Sequence, residues 1–282
     1  MKNKLLYHLP LLFVMIFGTV NGQKKTPINV ASFNLRFETV HDGENTWSNR
    51  RDFVKELITY HEFDIMGTQE LHHSQISDLL QMKGWKYTGG GRDDGINKGE
   101  HSAIFYKEDR FKLLESGDFW LSETPDIPSK GWDATCCNRI CSWGKFKDKK
   151  SRKTFFVFNV HFDHQGLQAR IESGYLMTRK IEEVAERYPV LLCGDFNSTP
   201  ETKQIQHISS QLNDSYLVSE LPPYGPVGTF NGFKIDAPLK DRIDYIFVSD
   251  HFKIHKYGAL TDFKEGRFPS DHLPVVVNLS FK

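Results

Sequence analysis

Apolar residues gather along this chain in short, nearly unbroken runs separated by polar stretches. Seven such runs read as strands: 28–33, 65–67, 102–106, 155–160, 190–193, 243–248 and 274–279. The run at 190–193 has no polar alternation, which predicts a strand buried on both faces. Two longer segments carry a helical period instead. Residues 47–61 place Phe53, Val54, Leu57 and Ile58 on one stripe, and residues 166–187 do the same with Ile171, Leu176, Ile181, Val184 and Ala185. Segments 88–100, 121–138 and 222–242 are rich in Gly, Pro and Asp and are longer than simple connections. Strands mixed with helices throughout, without repeat or linker, predict one α/β domain.

The first residues stand apart. Lys2 and Lys4 precede an apolar run over 9–20, followed by small and polar residues at 19–23. This is the pattern of a secretory signal peptide over residues 1–22. The run is shorter than the roughly 20 residues a spanning helix needs, and no later segment is apolar enough to cross a bilayer. The expected mature chain, 23–282, is a monomeric domain outside the cytoplasm, periplasmic or extracellular. Its 34 basic and 36 acidic side chains leave a formal charge of −2. That balance argues against a tight binder of duplex DNA and leaves small phosphorylated molecules open. Cys136, Cys137, Cys141 and Cys193 match no disulfide framework or zinc signature, and Cys136–Cys141 is the one local pairing worth testing.

The strand-like runs share a habit: each of six has a polar, chemistry-bearing residue at one end. Asn34 follows the first, Gln69 and Glu70 the second, and His161 the fourth. Asp195 and Asn197 follow 190–193, Asp244 lies at the start of 243–248, and Asp271-His272 precedes 274–279. Each has a bland explanation, such as a turn residue, a helix cap or a solvated acid. Together they supply carboxylate and carboxamide oxygens for a hard divalent cation, and imidazoles for a phosphoryl group. A zinc site at His161-Phe162-Asp163-His164 fits poorly, because His164 points away from His161 and Asp163 in an extended segment.

The ordered set, with Gly194-Asp195-Phe196-Asn197 and Ser270-Asp271-His272-Leu273-Pro274 as its most specific segments, resembles the endonuclease/exonuclease/phosphatase superfamily. That superfamily includes DNase I, abasic-site endonucleases, neutral sphingomyelinases, inositol polyphosphate 5-phosphatases and deadenylases. The resemblance covers residues 27–282. It implies a DNase I-like four-layer α/β sandwich, with two mixed β-sheets face to face and helices outside. It also implies a phosphodiesterase or phosphatase in which Mg²⁺, or Mn²⁺ in its place, is held by Glu70 with Asn34 and Asp271 close by. Asp195 would orient or deprotonate water, and Asn197 would hold that water or a phosphate oxygen. His161 and His272 would contact the phosphate, with Asp244 fixing His272.

Residues 91–95, 99–100, 119–125, 131–134 and 228–230 resemble secreted bacterial members similar to the deadenylase-like and sphingomyelinase-like enzymes. Arg139 and Arg170 are candidate phosphate contacts, since a guanidinium fork matches phosphate oxygens. Trp120, Trp132 and Phe230 are candidates to line a substrate pocket. Nucleotide, nucleic acid, lipid headgroup, inositol and sugar phosphates all suit this set. Lipid action would call for an exposed aromatic loop, for which 119–132 is the candidate. The rival from another class is a binding protein that keeps the fold without the chemistry.

Overall fold

The chain runs β1 (Ile28–Asn34), α1 (Trp47–Tyr60), β2 (Ile65–Gln69), α2 (His73–Leu79), β3 (Trp85–Thr88), β4 (Ile104–Lys107), β5 (Phe111–Trp120), β6 (Ile140–Asp148) and β7 (Thr154–His161). It continues with α3 (Leu167–Ala185), β8 (Val190–Asp195), α4 (Lys203–Ser209), β9 (Asn213–Asp214), α5 (Ser215–Val218), β10 (Asp244–Val248), β11 (Phe252–Ala259) and β12 (Val275–Phe281). This computed structural model describes Met1 and residues 26–282, so the expected leader lies, Met1 apart, outside the described residues. Among the described residues no helix is long and apolar enough to cross a membrane.

The strands form two six-stranded sheets, in the orders β11-β12-β1-β2-β4-β3 and β5-β6-β7-β8-β10-β9. Each sheet has one parallel pair at its centre, β1 with β2 and β7 with β8, and antiparallel neighbours elsewhere. The sheets face each other across a core that includes Ile28, Val30, Ile65, Val157, Leu191, Cys193, Ile246 and Val277. On the outer face of the first sheet, Ala31, Phe33 and Met66 meet Val54, Leu57 and Ile58 of α1 and Ile76 and Leu79 of α2. On the outer face of the second, Phe158, Leu192 and Phe247 meet Leu176, Met177 and Ile181 of α3 and Ile205 of α4. The result is the predicted four-layer sandwich. The helical stripes shift slightly from expectation. Phe53 and Ile171 are half-buried, while Arg50 of α1 is fully buried.

The sheet period of two explains where the site must be. The row facing the other sheet reads Ile28, Val30, Ser32, Asn34 in β1 and Ile65, Gly67, Gln69 in β2. It reads Phe155, Val157, Asn159, His161 in β7 and Leu191, Cys193, Asp195 in β8. In β10, which runs antiparallel to β8, the row reads in reverse, with Asp244 opposite Asp195. Every row is apolar at one end and polar at the other. The inter-sheet space is therefore oily over most of its length and chemically equipped at one rim.

Beneath that rim a buried amide ties the sheets together. Asn159 Nδ2 donates to Thr68 O at 2.8 Å and Ala103 O at 2.9 Å, and its Oδ1 accepts from Gln69 Nε2 at 2.7 Å. Gly67 makes room for it: a Cβ there would come within 2.7 Å of Asn159 Oδ1 and 2.3 Å of Cys193 Sγ. Truncating Asn159 removes three buried hydrogen bonds to the other sheet, at a cost of about 1–3 kcal/mol. Asn159→Ala should lower the urea midpoint correspondingly without changing the slope of the transition.

Candidate active site

The polar rim forms a cleft of about 570 Å³ lined by Arg36, Phe37, Glu70, Arg92, Glu100, Cys136, Cys137, Arg139, His161, His164, Asp195, Asn197, Phe230, Ile243, Asp271 and His272. Asn34 and Asp244 are fully buried just behind it. Eight of the nine strand-end residues singled out from the sequence are thus brought to one place; the ninth, Gln69, lies beneath the rim and is bonded to Asn159.

Several backbone turns here are held in a conformation that side chains other than glycine rarely adopt. Arg36, Glu70 and Asn197 have φ of 58°, 68° and 45°. Each turns a side chain into the cleft within two residues of a strand's end, and such strain costs about 1–3 kcal/mol per residue. Surrounding contacts hold the turns in place. Glu70 Oε1 accepts from Asn34 Nδ2 at 3.1 Å, and Oε2 accepts from Phe37 N at 3.3 Å. Asn197 N donates to Asp195 Oδ1 at 2.9 Å, and its side chain donates to Phe162 O at 3.1 Å. The buried Arg50 reaches from α1 to Leu35 O at 3.1 Å and Pro269 O at 2.6 Å. It pins the segments that carry Arg36 and Asp271, although burial pulls its guanidinium down to about 10.

Asp195 is the hub. Its Oδ2 accepts from Asn34 Nδ2 at 3.0 Å and lies 3.5 Å from His161 Nε2 and 3.7 Å from His272 Nε2. Burial first, then repulsion from Asp244, pushes its carboxyl up to about 7, against the pull of His272, the Asn197 amide and Asn34. A carboxylate poised there suits proton transfer near neutrality.

The two histidines are driven in opposite directions. Burial, then Arg139 and Arg92, holds His161 well below the ordinary histidine value, so its approach to Asp195 is that of a neutral imidazole and not an ion pair. Burial also opposes the charge on His272, but Asp244 and Asp195 overcome it and raise His272 well above the ordinary value. His272 Nδ1 donates to Asp244 Oδ2 at 2.9 Å, and the same oxygen accepts from Thr229 Oγ1 at 2.6 Å. The Thr229 hydroxyl fixes the carboxylate that fixes the ring, leaving His272 Nε2 directed toward Asp195.

The oxygen-rich side of the cleft fits a hard cation. Glu70 and Asp271 both face Arg36, at 3.7 Å and 4.0 Å. Burial first, then repulsion from Glu70, raises the Asp271 carboxyl against the pull of His272, Arg36 and Arg50. Asp195, Asp244 and His272 also place ligand atoms within 4.8 Å of one another. That trio is a less suitable ligand set, because Asp244 Oδ2 is already engaged by His272 and Thr229. Asn34 differs from expectation. Its Oδ1 accepts from Arg36 N at 3.0 Å, which directs Nδ2 to Glu70 and Asp195. As oriented it positions the two acids and does not present its oxygen to the cleft.

The candidate substrate contacts divide. Arg139 and Phe230 line the cleft, and the Phe230 ring stands edge-on to His272 at 5.0 Å. Arg139 Nη2 meets His164 Nδ1 at 2.7 Å, and Arg139 Nε lies 3.6 Å from Asp163 Oδ2. Arg170 is spent on the protein, donating to Asp163 O at 3.3 Å, and does not line the cleft. Trp120 is buried, and its indole donates to Arg92 O at 2.6 Å, so it braces a loop where a pocket wall was expected. Trp132 packs against the outer core of the second sheet. The 119–132 loop therefore offers no exposed aromatic platform; Ile127 is its one large exposed apolar side chain. Arg139→Ala should lower kcat/KM for a phosphate ester by about tenfold or more, the loss of a charged hydrogen bond. Arg170→Ala, assayed in parallel, should change it less than about threefold.

Arg36, Arg50, Arg92, Glu100 and Thr229 were not assigned roles from the sequence. Thr229 had a signal in its neighbour Phe230, and Arg92 and Glu100 in the glycine-rich turns around them. The free thiols of Cys136 and Cys137 line the cleft, and Cys141 is buried and unbridged.

A buried carboxylate, a histidine held by a second carboxylate, and two further acids meet in one cleft, an arrangement suited to hydrolysis of phosphate ester bonds. The chain belongs to the Endonuclease/Exonuclease/phosphatase family, whose pattern it matches over residues 31–272. A solved family protein from Bacteroides thetaiotaomicron is 45% identical, with a TM-score of 0.88 over 92% of this chain and 99% of that one. A mannosyl-6-phosphatase from Bacteroides thetaiotaomicron VPI-5482 is also 45% identical, with a TM-score of 0.86 over 90% of this chain and 100% of that one. Nocturnin of Rattus norvegicus is 24% identical over 90% of this chain, which spans 66% of nocturnin's own length. Enzymes of the family typically depend on a divalent metal, and the buried acid and histidine cluster is in keeping with that.

Proposed function

We propose that this protein is an exported, Mg²⁺-dependent phosphatase that removes phosphate from a small phosphorylated sugar. The observation that carries the chemistry is the convergence on Asp195 Oδ2 of Asn34 at 3.0 Å, His161 at 3.5 Å and His272 at 3.7 Å, beside the acids Glu70 and Asp271. Bound at Glu70 and Asp271, Mg²⁺ would neutralise phosphate charge and act as a Lewis acid. The chain's own groups do the rest. Asp195 takes a proton from water that Asn197 helps to orient, and His272 with Arg139 stabilises the charge developing on the phosphoryl oxygens.

The sugar-phosphate reading is supported by the 45% identical mannosyl-6-phosphatase and by the near-neutral charge of the chain, which suits no long polyanion. Export is supported by the basic, then apolar, then small-residue order of residues 1–22. A second reading, a nuclease or nucleotide phosphatase, is favoured by the similarity to nocturnin. Phosphate release by the mature chain with Mg²⁺, across hexose 6-phosphates, nucleotides, an oligoribonucleotide, phosphocholine and inositol phosphates, separates the two. Hexose 6-phosphates should give the highest kcat/KM. A preference for nucleotide or oligonucleotide of tenfold or more would replace the first reading with the second.

A further inference from the structure

A second charged group lines the same cleft, and the phosphate chemistry above does not use it. Arg92 Nη1 donates to Glu100 Oε2 at 2.6 Å, with the two side chains 15% and 14% exposed. The pair adjoins Glu70 and His161 in a small recess of the cleft. Among the described residues, Arg92 Nη2 and Glu100 Oε1 have no hydrogen-bond partner, and neither is among the atoms sealed from solvent. The ion pair thus offers one unused donor and one unused acceptor to whatever enters.

The loop that presents them is preorganised. Arg92 N donates to Glu100 O at 2.9 Å, and Asp93 N to Lys98 O at 3.1 Å. Asp94 Oδ1 accepts from the backbone of Ile96, Asn97 and Lys98. The Trp120 indole holds Arg92 O, and His101 N donates to Leu71 O at 2.8 Å, next to Glu70. A fixed loop spares the entropy of ordering it on binding.

A carboxylate beside a phosphate site works against anion binding, so Glu100 needs another purpose. A hydroxyl group both donates and accepts. One hydroxyl can accept from a guanidinium while its neighbour donates to a carboxylate, which is what this pair presents. We propose that Arg92 and Glu100 are the specificity-determining residues of the cleft and bind vicinal hydroxyls of a phosphorylated sugar. This rests on the sugar-phosphatase reading given above. A site built to hydrogen-bond a hydroxyl discriminates strongly against an analogue that lacks it, because its polar groups are then left unpaired.

The test compares kcat/KM for mannose 6-phosphate, 2-deoxyglucose 6-phosphate and 4-nitrophenyl phosphate in wild type, Glu100→Gln and Glu100→Asp. Aspartate keeps a charge for Arg92 but shortens the arm, which covers a failure of the glutamine variant to fold. The ratio of mannose 6-phosphate to 4-nitrophenyl phosphate should fall about tenfold or more in either variant, mainly through KM. The preference for mannose 6-phosphate over the deoxy sugar should shrink with it. Equal losses on all three substrates, or an unchanged ratio, would overturn the assignment while leaving the sugar-phosphatase reading intact. A wild-type enzyme that hydrolyses nucleotides or 4-nitrophenyl phosphate but no hexose phosphate would overturn that reading, and this inference with it.

Discussion

Glu70→Gln lowers kcat/KM by on the order of a hundred- to a thousandfold, whichever phosphate ester is used. The substitution preserves volume, so the loss reports charge. Glu70 sits in a left-handed turn at φ 68°, directly after β2, with both oxygens aimed at the rim of the two sheets. A carboxamide there removes the negative charge that a hard cation requires and sets an N–H group against either the Phe37 amide or Asn34. Calorimetric titration with Mg²⁺ should show binding weakened at least tenfold alongside the rate, in the range by which perturbing a metal site reduces affinity. Retention of more than about a tenth of wild-type activity would remove Glu70 from the cation site.

Asp244→Asn gives the second large effect, a fall in kcat/KM of about 10²–10⁴, and it carries a pH signature. Asparagine keeps an acceptor for Thr229, so the loop at 229–231 stays in place. What disappears is the charge that, with Asp195, holds His272 above the ordinary histidine value. The sign follows from linkage. The imidazolium loses its main stabilising partner, its pKa drops, and the alkaline limb of the pH–rate profile moves to lower pH. The loss should therefore be larger at pH 8 than at pH 6. A uniform loss across that range would mean that Asp244 acts through packing alone. Asp195 and His272 titrate as a pair, so the limbs of the profile belong to the pair.

The sequence revealed the centre of the fold better than its periphery, and burial explains why. The runs at 28–33, 155–160 and 190–193 were visible because β1, β7 and β8 are central strands covered on both faces. Edge strands left fainter traces. β5 mixes Phe111 and Trp120 with Lys112 and Glu115, and β11 mixes Ile254 with Lys253 and Lys256. Such strands bury one face or none, and their alternation is interrupted further by bulges between Leu113 and Glu115 and between Ile254 and Lys256. The strand-end residues were legible because period two carries the apolar row directly into Asn34, His161 and Asp195.

The candidate substrate contacts were less so. Arg139 and Arg170 look alike as residues, and only the tertiary contacts show that Arg170 is consumed by Asp163 O. Trp120 was misleading for a related reason: an aromatic near a glycine-rich loop suits a pocket wall and a loop brace equally well. Arg50 was hidden because a charged residue on an amphipathic helix reads as exposed, whereas here its guanidinium caps four backbone carbonyls, of Leu35, Arg36, Asn45 and Pro269.

The central claim is that the residues at the polar rim of the two sheets form a divalent-metal phosphatase centre. Phosphate release from mannose 6-phosphate by the chelator-stripped protein, measured before and after Mg²⁺ is returned, tests it most directly. The account predicts no release from the stripped protein, full return with Mg²⁺, and no return in Glu70→Gln at the same Mg²⁺ concentration. Release that survives stripping, or that Mg²⁺ restores equally in Glu70→Gln, would contradict it.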